Sequence, residues 1–202
     1  SQKINKDMDF TIRGNFTYAR NDIKRWSEEA PAYPYQEKAG YPYNVQTGYI
    51  ALGLFKDEAD IEKSHVQTFG TVLPGDIKYK DVNGDGMIDS DDKVPIALQN
   101  YPLLMYGFGG EFRYKKFTLG IMFKGRGRTE YMRNTVGYIP FYDGVTGNVL
   151  SEVANPANRW FTKEYALEHG IDVSLAENPN AKFPRLQYGK NNNNSLPSTF
   201  WV

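Results

Sequence analysis

Strict alternation of apolar and polar residues is the feature that most constrains the fold of this chain. Between Leu104 and Tyr114, every second position is apolar or glycine: Leu104, Tyr106, Phe108, Gly110, Phe112 and Tyr114. The opposite face carries glycine or charge: Gly107, Gly109, Glu111 and Arg113. Because successive side chains of a β-strand point to opposite faces, the pattern predicts a strand with one apolar and one hydrated face.

Two further segments show the same period of two. Between Asp9 and Arg20, one face holds Phe10, Ile12, Gly14, Phe16 and Tyr18, and the other holds Thr11, Arg13, Asn15 and Thr17. In the third segment, one face holds Phe117, Leu119, Ile121 and Phe123, and the other holds Thr118, Gly120 and Lys124. Only Lys115 and Lys116 separate the second segment from the third, so these two segments are predicted to form a hairpin.

Segment length bears on where such strands could lie. Strands of about 9 to 11 residues match tilted strands that cross a membrane. Aromatic residues near the segment ends are typical of an interfacial girdle: Tyr18, Tyr106, Tyr114 and Phe117. Charges on the polar face suit a hydrated lumen: Arg13, Glu111, Arg113 and Lys124. A soluble sandwich or barrel, whose apolar faces pack on each other, also alternates, and the pattern alone leaves both alternatives open.

Composition narrows the functional classes. The 24 basic and 24 acidic residues balance, so no long-range field for nucleic acid is expected. Cysteine is absent, which excludes disulfide frameworks and thiolate zinc sites. His65 and His169 are the only histidines, so a histidine-rich metal centre is not expected. No apolar run approaches the roughly 20 residues of a spanning helix, and no signal segment opens the chain. An internal piece of a β-barrel would show the same absences.

Long connections separate the three strands, from about Asn21 to Tyr101 and from about Arg126 to Ser198. They are predicted to be irregular, with short elements: extended residues 45–55, a surface helix in residues 56–64, a strand in residues 74–80, a helix ending near Gly170 and a polar turn at Lys190 to Asn194. Such lengths are uncommon in compact soluble domains. They are normal on the extracellular side of outer-membrane barrels, where periplasmic turns are short, which would make the Lys115–Lys116 turn periplasmic.

Aromatic residues are frequent in these connections: Trp26, Tyr33, Tyr35, Tyr41, Tyr43, Phe141, Tyr142 and Trp160. Exposed rings could stack on sugars or contact a partner. Alternatively, they could pack the connections onto each other.

The segment from Asp81 to Asp92 has the spacing of a twelve-position calcium loop. Its predicted ligands are the side chains of Asp81, Asn83, Asp85, Asp89 and Asp92 and the backbone carbonyl of Met87. Gly86 stands where such a loop turns sharply, and Ile88 stands where an apolar residue points inward. Calcium requires six to eight oxygen ligands, which this set can supply, so we expect Ca²⁺ here.

Pro95 separates this loop from helix-pair calcium sites, because it disfavours a helix directly after the loop. The loop is therefore expected to connect extended segments, and bound calcium would stabilise it by cancelling repulsion between carboxylates. A solvated acidic turn is the alternative, since Asn-Gly and Asp-Gly form turns unaided. No general base and nucleophile lie at recognisable spacing, so no enzymatic activity is expected.

Several runs together resemble the SusC/RagA-type TonB-dependent outer-membrane transporters. These runs are "GYIALGLF", "PGDIKYKDVNGDGMIDSDDKVPI", "YGFGGEFRYKKFTLGIMFKGRG" and "FPRLQYGKNNNN…STFWV". The resemblance implies an all-β fold, in which residues 1–202 are one part of a single antiparallel transmembrane barrel domain, from its C-terminal half. The signal peptide, the plug and the closing strands of the family are missing from this chain.

The resemblance also implies a function and partners. Members of this family import glycans or peptides across the Gram-negative outer membrane, with a SusD-like surface lipoprotein as lid and the TonB complex as energy source. The expected contacts are therefore the lipoprotein, TonB through the missing N-terminal part, substrate and outer-membrane lipid, without nucleic acid. A soluble secreted β module that binds calcium and carbohydrate is the second functional interpretation of the sequence.

Overall fold

The computed structural model describes residues 2–142 and 149–202. The chain folds into two compact units, which we call the sheet unit and the core unit. The sheet unit comprises Ser1–Trp26, Lys38–Asn44 and Leu98–Glu130, and the core unit comprises Ser27–Glu37, Val45–Ala97 and Tyr131–Val202.

Strands dominate the regular structure, and the helices are short. The strands are β1 (Gln2–Asn5), β2 (Met8–Tyr18), β3 (Gln46–Gly48), β4 (Ala51–Leu54), β5 (Val66–Gln67), β6 (Ile77–Tyr79), β7 (Met87–Ile88), β8 (Val94–Ala97), β9 (Leu104–Tyr114) and β10 (Phe117–Gly127). The α-helices are α1 (Glu58–Glu62), α2 (Ser151–Ala154) and α3 (Lys163–His169), with single 3₁₀ turns at Pro34–Gln36, Ser90–Asp92, Pro156–Asn158 and Val173–Leu175. Among the described residues, no helix has the length and apolarity needed to cross a membrane.

The sheet unit is a four-stranded antiparallel sheet in the order β1-β2-β9-β10. Phe112 of β9 lies opposite Phe10 of β2 and Leu119 of β10. This register places the apolar positions of the predicted alternation on one face, whereas Met105 and Met122 lie on the opposite face. The polar positions line up in the same way, with Glu111 opposite Thr11 and Gly120.

Turns and connections leave this sheet asymmetrically. The short links β1–β2 and β9–β10 lie at one end, where the Lys115 amide donates to the Asp7 carbonyl at 2.7 Å. The two-residue hairpin link is confirmed, and Lys115 adopts a left-handed φ of 52° in it. The long connections that follow Tyr18 and Gly127 start at the opposite end. Strand β1 was not predicted, because its four residues show no apolar alternation.

The prediction of an antiparallel β structure is confirmed for this sheet. The described residues form an open sheet rather than a closed barrel, so the barrel stays a prediction.

The core unit corrects the expectation of irregular connections. Its residues form three small sheets, of which β3–β8 and β4–β6 are antiparallel and β5–β7 is parallel. Strands β4, β6 and β7 contribute residues to a buried cluster of Tyr49, Leu54, Ile77, Tyr79, Ile88, Val153, Trp160, Ala181, Phe183 and Trp201. Connections of this length are compact here because their apolar residues, far apart in sequence, bury each other.

Helix ends in the core unit follow local sequence rules. Asp57 caps α1 by accepting from the Asp60 amide at 2.9 Å, and Thr162 caps α3 by accepting from the Tyr165 amide at 3.1 Å. Gly170 ends α3 in a left-handed conformation with φ of 64°, which glycine adopts without steric cost. The surface helix in residues 56–64 and the helix that ends near Gly170 are thereby confirmed.

The asparagine run forms the predicted turn, in which the Ser195 amide donates to the Asn191 carbonyl at 3.0 Å, but it is not an exposed loop tip. Asn193 and Asn194 are 1% and 3% exposed. The Asn194 carboxamide accepts from the Ile77 amide at 2.8 Å, and the Asn193 side chain donates to the Ile77 carbonyl at 2.8 Å. These side chains therefore pair with the backbone of β6 and hold the C-terminal segment against it. The asparagines lie in the interior because buried backbone groups of β6 need hydrogen-bond partners.

A buried carboxylate completes this polar cluster. Asp76 is fully buried, and its oxygens accept from Arg185 Nε at 2.7 Å, Asn194 Nδ2 at 2.8 Å and the Leu73 amide at 2.9 Å. Asn191 Nδ2 donates to the same carboxylate at 3.1 Å. A buried charge is tolerated only when it is paired and hydrogen-bonded, and Asp76 meets both conditions.

Candidate functional site

The acidic loop connects β6 with β8 and contains the predicted calcium ligands. Gly84 and Gly86 have φ of 79° and 88°, so the chain turns sharply there, as expected for Gly86. Ile88 is 1% exposed and belongs to the buried cluster, which confirms that it points inward. After a 3₁₀ turn at Ser90–Asp92, the loop enters β8, which contains Pro95. The predicted extended exit is thus confirmed.

Asp81 lies at the loop entrance, with a side chain only 3% exposed. Its two oxygens accept from the Gly84 amide at 2.6 Å and the Gly86 amide at 2.9 Å. His65 Nδ1 lies 2.8 Å from the same carboxylate. The aspartate therefore closes the turn by accepting hydrogen bonds from two of its backbone amides.

Asn83 and Asp85 lie on the exposed side of the turn. The Asp85 amide donates to Asn83 Oδ1 at 3.0 Å, and the Met87 amide donates to Asp85 Oδ1 at 2.8 Å. Asn83 Nδ2 also donates to Asp85 Oδ2 at 3.0 Å. Both residues thus form the local side-chain turns typical of asparagine and aspartate.

Asp89 and Asp92 form a reciprocal capping box at the loop exit. Asp92 is fully buried, and its oxygens accept from the Val82 amide at 2.6 Å and from the Asp89 amide at 2.9 Å. Asp89 in turn accepts from the Asp91 amide at 2.8 Å. Asp92 therefore links the two ends of the loop.

Residues distant in sequence brace the loop, and sequence reasoning missed them. Tyr33 accepts from Asn83 Nδ2 at 3.1 Å, and the Tyr35 hydroxyl donates to the Asp91 carbonyl at 2.7 Å. The rings of Tyr33 and Tyr35 stack with centroids 5.3 Å apart. The contact of His65 with Asp81 was also missed. No periodicity or spacing relates these positions to the loop, so the sequence carried no signal for them.

Burial, hydrogen bonds and the charges of the loop shift the pKa values of Asp81 and the nearby Tyr49. Burial acts to raise the pKa of Asp81, but hydrogen bonds from Gly86 and Gly84 and the contact with His65 outweigh it. The result is a pKa of Asp81 below the ordinary value of 3.8. Burial, followed by the carboxylates of Asp89 and Asp92, raises the pKa of Tyr49 to about 12. A cation bound in the loop would reduce this negative potential.

The fit of the loop to calcium has two sides. Among the described residues, no group of three or more histidine or carboxylate side chains is placed to hold a metal ion. The carboxylates bind backbone amides instead. A carboxylate oxygen that accepts one hydrogen bond retains a second lone pair, so these bonds leave room for coordination. Calcium binding by Asp81, Asn83, Asp85, Met87, Asp89 and Asp92 accordingly stays a prediction.

The two faces of the sheet unit form a second candidate surface. On the apolar face, Phe117 is 81%, Ile12 73%, Phe16 71% and Leu119 62% exposed. A shallow groove lies on the polar face, where its lining includes Arg13, Asn15, Gly107 and Lys124. Near the hairpin turn, Arg113 pairs with Asp9 across strands β9 and β2. One sheet thus presents an uncovered apolar surface and an opposite surface rich in charge.

Some aromatic residues of the connections are buried and pack against other residues, and others are exposed. Trp160 is buried at 4% exposure within the core cluster, and Tyr33 and Tyr35 pack near the acidic loop. Trp26 and Tyr43 are 42% and 50% exposed, and their rings lie 6.1 Å apart. Binding of sugar by the exposed rings stays a prediction.

Comparison with known proteins finds one similar protein, a TonB-dependent receptor. No protein-family profile matches the chain. The chain is 29% identical over 141 residues to TonB-dependent receptor P26 of Formosa agariphila. The matched region covers 70% of this chain and 12% of that receptor, so the chain corresponds to a small part of its relative. The similarity supports the TonB-dependent transporter family and leaves the SusC/RagA subtype undecided.

Proposed function

We propose that this chain forms part of the barrel wall of a SusC/RagA-type TonB-dependent transporter in the Gram-negative outer membrane. The transporter would import glycans or peptides with a SusD-like surface lipoprotein as lid. The uncovered apolar face of the sheet unit, continuous along strands of 11 residues, carries the proposal. The similarity to a TonB-dependent receptor supports it independently.

An apolar environment such as lipid would stabilise the apolar face of the sheet unit. Burial of a large apolar side chain stabilises a protein by about 1.5–3 kcal/mol, and a row of such residues remains exposed here. Lipid tails would cover this row without any partner protein. Strands of 11 residues also suit a bilayer, which a tilted strand of about 9 to 11 residues crosses.

The asymmetry of the connections supports an orientation. Outer-membrane barrels have short periplasmic turns and long extracellular loops. The turns of the β1–β2 and β9–β10 hairpins would then be periplasmic. The connections that carry the core unit would be extracellular, where they could contribute to lipoprotein contact and substrate capture. TonB would act through parts of the protein outside this chain.

The remaining features fit a role without covalent chemistry, and we propose that the protein is not an enzyme. Calcium bound at Asp81–Asp92 would stabilise an extracellular connection. The alternative, a soluble secreted module that binds calcium and carbohydrate, would require another protein surface to cover the apolar face. Because none of the described residues covers that face, we favour the transporter.

Labelling of the full-length protein in intact cells tests the proposed orientation. Cysteine is introduced separately at Tyr188, which is 73% exposed in the core unit, and at Lys116 in the hairpin turn, and a membrane-impermeant maleimide is added. We expect Tyr188→Cys to react in intact cells and Lys116→Cys to react only after the outer membrane is permeabilised. Recovery of the protein from the medium or from the soluble fraction would refute the proposed function.

A further inference from the structure

The polar face of the sheet unit has an uneven distribution of charge. Near the hairpin turn, Glu111 and the pair of Asp9 with Arg113 mix both signs. Towards the other end, the strand segments 13–18, 104–109 and 122–127 contain Arg13, Lys124 and Arg126 and no carboxylate. All three cations are exposed. Charge on this half of the face is therefore entirely positive.

Strand register brings these cations around a recess. Gly107 lies on the central strand between Asn15 of β2 and Lys124 of β10, and Gly109 lies opposite Arg13. A methyl group on Gly107 would meet Asn15 Oδ1 at 2.6 Å, so a larger residue would fill the floor of the groove. With adjacent strands about 4.8 Å apart, Asn15 and Lys124 stand on opposite sides of this floor.

Two of these cations have no carboxylate partner close to them. Among the described residues, Arg13 and Lys124 make no ion pair with a carboxylate. Arg13 of β2 and Lys124 of β10 lie two strands apart, on either side of β9. An extended ligand that carries more than one negative charge could contact both cations across the groove and supply the counter-charge that they lack.

We propose that this groove binds an anionic oligosaccharide, whose carboxylates interact with Arg13 and Lys124. The inference rests on the proposed function, in which the polar face lines the transport lumen, and specifies the substrate class. Asn15 offers a carboxamide and Thr17 a hydroxyl for sugar hydroxyl groups, whereas the two glycines leave space for a ring. A neutral glycan would leave the cations without a counter-charge.

Binding of tetragalacturonate to the purified full-length protein tests the proposal, with uncharged maltotetraose as the comparison. Charge-assisted hydrogen bonds are the stronger ones, so we expect tetragalacturonate to bind at least about tenfold more tightly than maltotetraose. The difference should shrink as salt rises from roughly 0.05 to 0.2 M. The double variant R13Q/K124Q should lose this preference. Arg113→Gln, which removes the cation already paired with Asp9, should retain it.

Each other outcome overturns the inference. Equal affinity for both sugars, no binding of either sugar, or an unchanged preference in R13Q/K124Q would exclude an anionic ligand at this groove. A lower melting temperature of R13Q/K124Q without any change in binding would indicate that a carboxylate of the protein itself occupies the groove. The labelling result distinguishes failure here from failure of the proposed function, because it reports the membrane orientation whatever the substrate.

Discussion

The sheet unit and the core unit use similar aromatic and aliphatic residues in opposite ways. In the core unit, Trp160 and Phe183 are 4% and 6% exposed and pack in one cluster. In the sheet unit, Phe117 and Phe16 are 81% and 71% exposed, although they lie in the regular register of a long sheet. The core unit is stabilised by burial within itself, whereas the apolar face of the sheet unit stays uncovered by the described residues. Under the proposed function, the apolar face of the sheet unit would lie against lipid, and the core unit would lie in water.

Loss of the buried carboxylate should produce the largest effect. Asp76→Ala leaves Arg185, Asn191 and Asn194 without their shared acceptor, and breaking a buried ion pair costs about 3–5 kcal/mol. Hydrogen exchange of the full-length protein should show fast exchange at β4 and β6. Asp60→Ala is the matched control, because Asp60 pairs with Lys78 at 2.8 Å while 31% exposed. The control should cost at most about 1 kcal/mol. Equal effects of both variants would contradict the role of Asp76.

An added charge should destabilise the protein on the apolar face of β10 and have little effect on the adjacent polar face. Leu119→Arg places a cation on the apolar face, two residues inside the start of β10. Lipid exposure of such a cation costs about 2–4 kcal/mol at the bilayer midplane and falls to about 0–1 kcal/mol at the interface, so the expected cost lies between these limits. Thr118→Arg, one residue earlier on the polar face, should be nearly neutral. The folded fraction of the full-length protein in lipid, measured by its heat-modifiable electrophoretic mobility, checks the difference. If Thr118→Arg were as damaging as Leu119→Arg, the polar face would not be hydrated.

Calcium should distinguish the role of Asp92 in the acidic loop from that of Asp85. Without calcium, Asp92→Ala leaves the partly buried amides of Val82 and Asp89 without their acceptor, which costs about 1–3 kcal/mol, whereas loss of the exposed Asp85 should cost less. Added calcium should slow hydrogen exchange of the wild-type loop, and Asp85→Ala should abolish this slowing. Identical hydrogen exchange of the wild-type loop with and without calcium would rule out calcium binding and indicate a loop stabilised by hydrogen bonds alone.

A smaller effect is expected from pH. Because the folded-state pKa of Asp81 lies below the ordinary value of 3.8, its contribution to loop stability is fully present above that value. The contribution is lost as pH falls through the folded-state pKa. Hydrogen exchange of residues 81–92, corrected for intrinsic rates, should therefore stay constant between about pH 7 and 5 and accelerate below about pH 4. Asp81→Asn should flatten this response, and a persistent acceleration in that variant would assign it to another group.

The sheet unit was largely predictable because its signal is local. A period of two fixes which face each residue occupies, and the Lys115–Lys116 link fixes the hairpin register. The pairing of β2 with β9 was not predictable in this way, because a long connection separates the two strands. Strand β1 was not predicted because its own sequence shows no alternation that would indicate pairing with β2.

The core unit was much less predictable because long-range contacts determine it. Asn193 and Asn194 lie in the predicted turn, yet their hydrogen bonds to the backbone of Ile77 in β6 place them in the interior. The spacing of the acidic loop correctly indicated the sharp turn, the inward Ile88 and the extended exit at Pro95. It could not indicate His65, Tyr33 or Tyr35, whose contacts depend on the folding of distant segments.

Lipid accessibility of Ile121 and Met122 tests the central claim most directly. These neighbours on β10 are 52% and 56% exposed and lie on opposite faces of the sheet. A fluorophore is attached to Ile121→Cys or Met122→Cys of the full-length protein reconstituted in vesicles. We predict that lipid-borne quenchers quench the label at position 121 and that aqueous iodide quenches the label at position 122. Quenching of both labels by iodide, with no effect of the lipid quenchers, would contradict a lipid-facing sheet.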